Sequence, residues 1–275
     1  MRLAISNIAW DVSEDEAVVD LLRQYGLDAI DIAPGKYFSH PRETSLAQIE
    51  KVRSWWSDRG FEITGMQALL FGTVGLNCFG SPAVQEAMLE HLSAICRIGS
   101  ALGAKRLVFG SPKNRDRSGL SDDEALEAAA GFFRQLGQIA LSHGVIICLE
   151  PNPAAYGANF MTTSSETAHV VRKIDHPAIR MQLDTGALSM NGESIESVLK
   201  DCADWIGHIH ASEPHLVPLG DSGTDHGRLR AALQKYAHLE LVSIEMLATQ
   251  GEPHLKAIER ALVYATSAYD SLRMN

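Results

Sequence analysis

Eight short apolar runs alternate with amphipathic stretches of helical length along the chain, and no feature limits its possible folds more. The runs cover residues 3–6, 29–33, 62–68, 106–110, 145–150, 180–184, 205–210 and 241–245. Helical periodicity covers 45–59, 82–102, 164–174, 194–202, 227–236 and 253–272. Ser13-Glu14-Asp15-Glu16 and Ser121-Asp122-Asp123-Glu124 have the spacing of a capping box, in which hydroxyl and carboxylate satisfy free N–H groups at a helix start. Gly26, Gly60, Gly103 and Gly144 stand just ahead of the next run, where a left-handed helix end suits glycine. Strand and helix in repeated alternation is the pattern of an α/β fold with a parallel sheet.

Periodicity does not separate a closed barrel from an open, doubly wound sheet; the ends of the last four runs do. They close on Glu150, Asp184, His210 and Glu245, separated by 34, 26 and 35 residues. If each run is a buried parallel strand, the four side chains emerge at the same end of one sheet. In an open sheet they would spread along a row of roughly 14 Å, at about 4.8 Å per strand, too far to share one ion. A barrel curves the same strand ends around an axis, where three carboxylates and an imidazole can converge on a divalent cation. Taken alone, each residue could instead end its strand independently, solvated or capping the next helix. Four consecutive apolar strands that each run up to a lone ionisable group are costly without a shared partner. The expectation is a (β/α)8 TIM barrel forming a single domain over residues 1–275, near the ~250 residues typical of that fold.

The net charge of −10 and the lack of any Lys/Arg run argue against nucleic acid or an anionic membrane as partner and for a small molecule. Cys78, Cys96, Cys148 and Cys202 show no CxxC spacing, against a thiolate metal site or a disulfide framework. The opening Met1-Arg2-Leu3-Ala4-Ile5-Ser6 is too short an apolar run for a secretory signal, and no run of about 18 apolar residues occurs elsewhere, so a cytoplasmic location is expected.

Leu149-Glu150-Pro151-Asn152, Gln182-Leu183-Asp184-Thr185-Gly186, His208-Ile209-His210 followed by Glu213, Pro218-Leu219-Gly220-Asp221-Ser222-Gly223 and Ser243-Ile244-Glu245 carry a resemblance. Together they resemble the xylose-isomerase-like TIM-barrel superfamily of sugar and sugar-phosphate isomerases and epimerases, in the branch of D-tagatose 3-epimerase and its relatives. The motif order runs from the first strand to the eighth and covers essentially the whole chain.

The resemblance implies that Glu150, Asp184, His210 and Glu245 bind one divalent metal ion, Mn2+, Mg2+ or Co2+, with Zn2+ in some relatives. It also implies that Glu150 and Glu245 serve as the catalytic acid/base pair. The chemistry of the residues agrees: three carboxylates favour an oxygen-preferring cation, while one histidine leaves Mn2+, Co2+ or Zn2+ open. A cation there would chelate a ketose carbonyl and its neighbouring hydroxyl and stabilise an enediolate, with a carboxylate on each face to remove and return the proton.

Ketohexose 3-epimerases carry a histidine three residues after the strand-6 aspartate, where this chain has Ala187, and a glutamate six residues after the strand-5 ligand, where it has Tyr156. The groups that orient substrate have therefore changed, which argues against free tagatose or psicose. The apurinic endonucleases of the same superfamily need additional histidines for a trinuclear zinc cluster, and strands 2 and 3 here offer Asp31 and Gln67.

Further candidates follow from position. Trp10 beyond strand 1 and Gln67 at the end of strand 3 are expected at the substrate, as are Asn152, Tyr156 and Glu213 in the loops after strands 5 and 7. His208, two residues before His210 on the same strand face, reads as a buried, hydrogen-bonded histidine or as support for the metal ligands. Lys113, Arg115 and Arg117 after strand 4 read as a solvated basic loop or, alternatively, as groups that recognise a phosphate or carboxylate on the substrate. The functional expectation is a metal-dependent sugar or sugar-phosphate isomerase or epimerase with a small-molecule carbohydrate substrate, with a homo-oligomer among the assemblies it allows. A dehydratase of an inosose-like keto-polyol and a non-enzymatic, metal-stabilised barrel are the alternatives.

Overall fold

The computed structural model describes residues 1–236 and 241–269. Eight parallel strands close into a barrel in sequence order: β1 (Arg2–Ser6), β2 (Ala29–Ile32), β3 (Glu62–Met66), β4 (Arg106–Phe109), β5 (Ile146–Leu149), β6 (Ile179–Asp184), β7 (Ile206–Ser212) and β8 (Leu241–Glu245). The closing ladder pairs Arg2 through Ile5 of β1 with Leu241 through Ile244 of β8, so no sheet edge remains open between them.

Helices α1 (Asp15–Gln24), α2 (Leu46–Ser57), α3 (Pro82–Leu102), α4 (Asp122–Ser142), α5 (Ser164–Ile174), α6 (Thr185–Asn191), α7 (Ile195–Cys202), α8 (His226–Tyr236) and α9 (His254–Tyr269) connect or follow the strands. Apolar side chains of the outer helices seal the layer between helices and barrel. Phe133 of α4 meets Phe109 of β4 edge to face at 5.3 Å and 90°. The end of the 253–272 expectation lies outside the described residues.

Local signals act where the sequence places them, with two exceptions. Ser121 and Glu124 form the expected capping box at α4, with the Ser121 N–H donating to Glu124 Oε2 at 2.9 Å. Gly26, Gly60, Gly103 and Gly144 all adopt φ between 67° and 88°, the left-handed region expected of them. The box expected at Ser13 and Glu16 is instead built two residues earlier, by Asp11 and Glu14, with the Asp11 N–H donating to Glu14 Oε2 at 2.9 Å; a short 3-10 turn precedes α1. The second exception is α6, which starts directly after β6 with Asp184 as its N-cap.

Candidate active site

Closure of the barrel brings the ends of β5 to β8 together. Glu150, Asp184, His210 and Glu245 each present one ligand atom, and these atoms all lie within 4.8 Å of one another. Nδ1 of His210 is 3.4 Å from Glu150 Oε1 and 3.1 Å from Glu245 Oε2. All four residues are buried.

Each carboxylate is held by its own neighbour. Gln67 Nε2, at the end of β3, donates to Glu245 Oε1 at 2.9 Å. Asn152 Nδ2 donates to Glu150 Oε2 at 3.1 Å. Asp184 Oδ1 accepts from the N–H of Ala187 at 2.6 Å, and its Oδ2 accepts from the hydroxyl of Ser212 at 2.7 Å. Asp184 therefore caps a helix and joins the cluster, two roles that the sequence presents as alternatives. Gly110, just after β4, leaves room for this orientation of Glu150: a Cβ there would overlap Glu150 Oε2.

The electrostatics are those of a cation site. Burial, reinforced by Glu245 and Glu150, raises Asp184 well above the ordinary carboxylate range. Burial opposes the charged form of His210, yet Glu245 and Glu150 outweigh it and raise the imidazole well above its usual value. Burial likewise opposes ionisation of Glu245, but attraction to His210 and hydrogen bonds lower it. Protons thus fill the charge deficit of three carboxylates crowded around one imidazole. Oε1 of Glu150 is buried with no hydrogen-bond partner. An orphaned carboxylate oxygen facing a histidine nitrogen and two further carboxylates fits a divalent cation.

Below the cluster lies a second set of buried groups. His208 Nε2 is 2.7 Å from Asp31 Oδ2, and Thr64 Oγ1 donates to Asp31 Oδ1 at 2.8 Å. His208 is the buried, hydrogen-bonded histidine that its strand position suggests. Burial opposes ionisation of Asp31, but His208 and, more weakly, His210 outweigh it and hold the carboxyl at about 2. Burial lowers His208 despite Asp31, so the pair is a neutral imidazole donating to a carboxylate. Asp31 Oδ2 also lies 4.0 Å from Nε2 of His210, on the side away from the ligand cluster. With its amide oriented by the hydrogen-bond pattern, Gln182 donates to the His208 carbonyl and accepts from the His210 N–H, both at 3.1 Å.

Above the cluster opens a cavity of about 700 Å3, lined among others by Glu150, Asp184, Glu245, Gln67, Asn152 and Tyr156. Three lining residues, Ala68, His215 and Leu216, hold positive φ of 54°, 62° and 53°, strain of a kind that collects at functional sites. Tyr156 accepts from the His215 N–H at 2.7 Å, which ties the β5 loop to the β7 loop across the mouth.

Trp10 and Glu213 are not brought to the cavity. The indole of Trp10 is buried and donates to Asp15 Oδ1 at 2.7 Å, a packing role beside α1. Glu213 accepts from the N–H groups of Gly220, at 2.8 Å, and of Thr224, at 3.1 Å, and so shapes the glycine loop after β7. The basic-loop reading holds for exposed Lys113 but fails for Arg115, which has no exposed surface. Arg115 donates to the Glu150 carbonyl at 2.7 Å and to Asn152 Oδ1. Ser212 was also missed, although His208, His210 and Ser212 alternate along β7 and share one face.

A family model described as xylose isomerase-like TIM barrel matches residues 19–265. The chain belongs to that family. D-psicose 3-epimerase of Ruminiclostridium cellulolyticum is 26% identical over 87 residues, which is 32% of this chain and 29% of that protein, so the match spans under a third of the curated relative. Solved structures share the fold. D-psicose 3-epimerase with D-tagatose from Clostridium cellulolyticum H10 superposes with TM-score 0.80 at 16% identity, covering 98% of this chain and 99% of that one. The 3-keto-D-glucoside 4-epimerase of E. coli gives 0.79 at 18% identity, covering 97% and 99%. The IolI protein with a bound zinc atom gives 0.75 at 16%, covering 100% of each. No described helix of this family member is long and apolar enough to cross a membrane.

Proposed function

We propose that the protein is a divalent-metal-dependent epimerase or isomerase of a keto sugar, in which Glu150 and Glu245 transfer the proton. The observation that carries this reading is the paired environment of the two glutamates. Each has one oxygen fixed by a neutral side-chain amide, from Asn152 and from Gln67, and the other turned toward His210 and the cluster. Such carboxylates keep their orientation whichever protonation state they hold, as a pair that alternates between acid and base requires. They line the same cavity floor from strand ends on either side of Asp184 and His210.

Glu150, Asp184, His210 and Glu245 would hold the ion, with Mn2+, Mg2+ or Co2+ suited to three carboxylates and one imidazole and Zn2+ also compatible. Bound there, it would polarise a carbonyl and acidify the adjacent C–H. One glutamate removes that proton and its partner returns one to the opposite face. In this reading Gln67 and Asn152 at the floor, and the Tyr156 hydroxyl nearer the mouth, would orient substrate hydroxyls. Burial, with the nearby carboxylates, raises the Tyr156 phenol and keeps it a hydrogen-bond donor at neutral pH. The relatives' 3-epimerase and 4-epimerase activities support a proton transfer next to a carbonyl as the shared chemistry.

The test is solvent deuterium incorporation with a panel of keto sugars. Label at the inverted carbon identifies an epimerase, label with an aldose product an isomerase, and loss of water a dehydratase. Absence of carbon-bound label with every accepted substrate would contradict the proposal.

A further inference from the structure

Floor and wall of the cavity differ in chemistry. The floor holds carboxylate and amide groups; Ile8, Leu70, Phe71, Val108, Leu216 and Leu247 are among the residues of the wall. Phe71 is 82% exposed and Leu247 50% exposed, so two large apolar side chains stand open at the mouth. The Leu247 N–H donates to the carbonyl of Leu216 at 2.9 Å, and Leu216 itself keeps a left-handed backbone at φ 53°. On its Leu216–Leu247 side the apolar rim is therefore held by main-chain bonding and keeps a strained backbone.

A free ketose or a sugar phosphate presents hydroxyls on all sides. Those turned to this wall would leave water without gaining a partner. A volume of about 700 Å3 also accommodates a ligand well beyond one sugar ring. Among the described residues the lysines lining the cavity are Lys36 and Lys113, and no arginine does. Lys36 donates to the main-chain oxygens of Asn7, at 2.8 Å, and Trp10, and Lys113 to that of Thr73 at 3.4 Å. Lys36 is thus committed to main-chain oxygens and Lys113 is exposed, so among the described residues the cavity offers a phosphate no buried cationic cradle to set against the three carboxylates of the floor.

We infer that the substrate is an uncharged keto sugar bearing an apolar or aromatic substituent, its carbonyl edge on the floor and the substituent against Phe71 and Leu247. The inference rests on the keto-sugar reading of the floor and adds the part of the ligand that the floor does not touch. Where the substituent is glycosidic, the anomeric carbon is blocked and the carbonyl sits on another ring carbon.

Calorimetric affinities of the metal-loaded protein for phenyl 3-keto-β-D-glucopyranoside, D-psicose and D-fructose 6-phosphate test this. The glycoside should bind about tenfold or more tightly than either other probe, the scale of burying a good part of one phenyl ring. Phe71→Ala and Leu247→Ala should each reduce that preference by about threefold or more. Equal or tighter binding of the free ketose or the phosphate, a preference untouched by both substitutions, or no binding of any probe would overturn it. Deuterium exchange with the same probes separates the two readings. Preferential binding without exchange contradicts the proton-transfer chemistry and leaves the wall assignment standing, whereas exchange without preference does the reverse.

Discussion

The guanidinium of Arg115, fully buried, donates to the main-chain oxygen of Glu150 at 2.7 Å. It also bonds the side-chain oxygen of Asn152, whose amide holds Glu150 Oε2 at 3.1 Å. One cation thus fixes Glu150 at both its backbone and its carboxylate. Burial lowers Arg115 to about 10 against the pull of Glu150, so it remains charged at neutral pH.

Arg115→Met removes both bonds and leaves two buried acceptors unpaired, at an expected cost of about 2–4 kcal/mol. Arg115→Lys, with one donor group in place of a fork, should recover part of that. Urea unfolding of the metal-free protein checks both, and a Met variant as stable as the parent would show that the guanidinium holds nothing.

Gly110→Ala tests the crowding around Glu150 from the other side. A Cβ there would overlap Glu150 Oε2, so the carboxylate, the movable end of its side chain, must shift. Titration with Mn2+ should show affinity lower by about tenfold or more, the scale seen when residues supporting a metal ligand are altered, with the barrel's circular dichroism retained. Unchanged affinity would mean that Glu150 is not a ligand in this orientation.

Much of this arrangement is legible in the sequence because barrel geometry links spacing to position: Glu150, Asp184, His210 and Glu245 recur at about one strand–helix unit, and closure does the rest. The same rule points to Gln67 and Asn152, at or just past strand ends, and the turn-rich loop after β5 to Tyr156; all three line the cavity. That rule fails where a side chain's partner comes from tertiary packing. Trp10 and Glu213 occupy the right loops, but Asp15 and the backbone at Gly220 and Thr224 claim them. Arg115 looks like any loop cation until the Glu150 carbonyl and Asn152 are placed beside it. Helix α6, of 7 residues, is too short to show a period, and its N-cap is a residue already assigned to the metal.

A cation bound at the cluster would compete with protons, so metal stabilisation should depend on pH. Asp184 and His210 are both raised in the metal-free fold, so each binds its proton more tightly folded than unfolded. Their stabilisation is fully present below the unfolded values and lost as pH rises through the raised folded ones. His208, lowered by burial, acts in the opposite sense but does so with and without metal, and cancels in the difference. The rise in Tm on adding Mn2+ to EDTA-treated protein should therefore grow as pH is raised from the acid side of neutrality to the alkaline side. An increment that stays constant across that range would remove Asp184 and His210 from the ion's competition with protons.

Glu245→Gln in the metal-loaded protein is the most direct test of the central claim, because an amide oxygen can still coordinate but cannot carry the proton. With an accepted keto sugar in D2O, incorporation of deuterium next to the carbonyl should fall by roughly 10²-fold or more while Mn2+ remains bound. Exchange at the wild-type rate in Glu245→Gln would contradict the account and leave Glu245 a ligand alone.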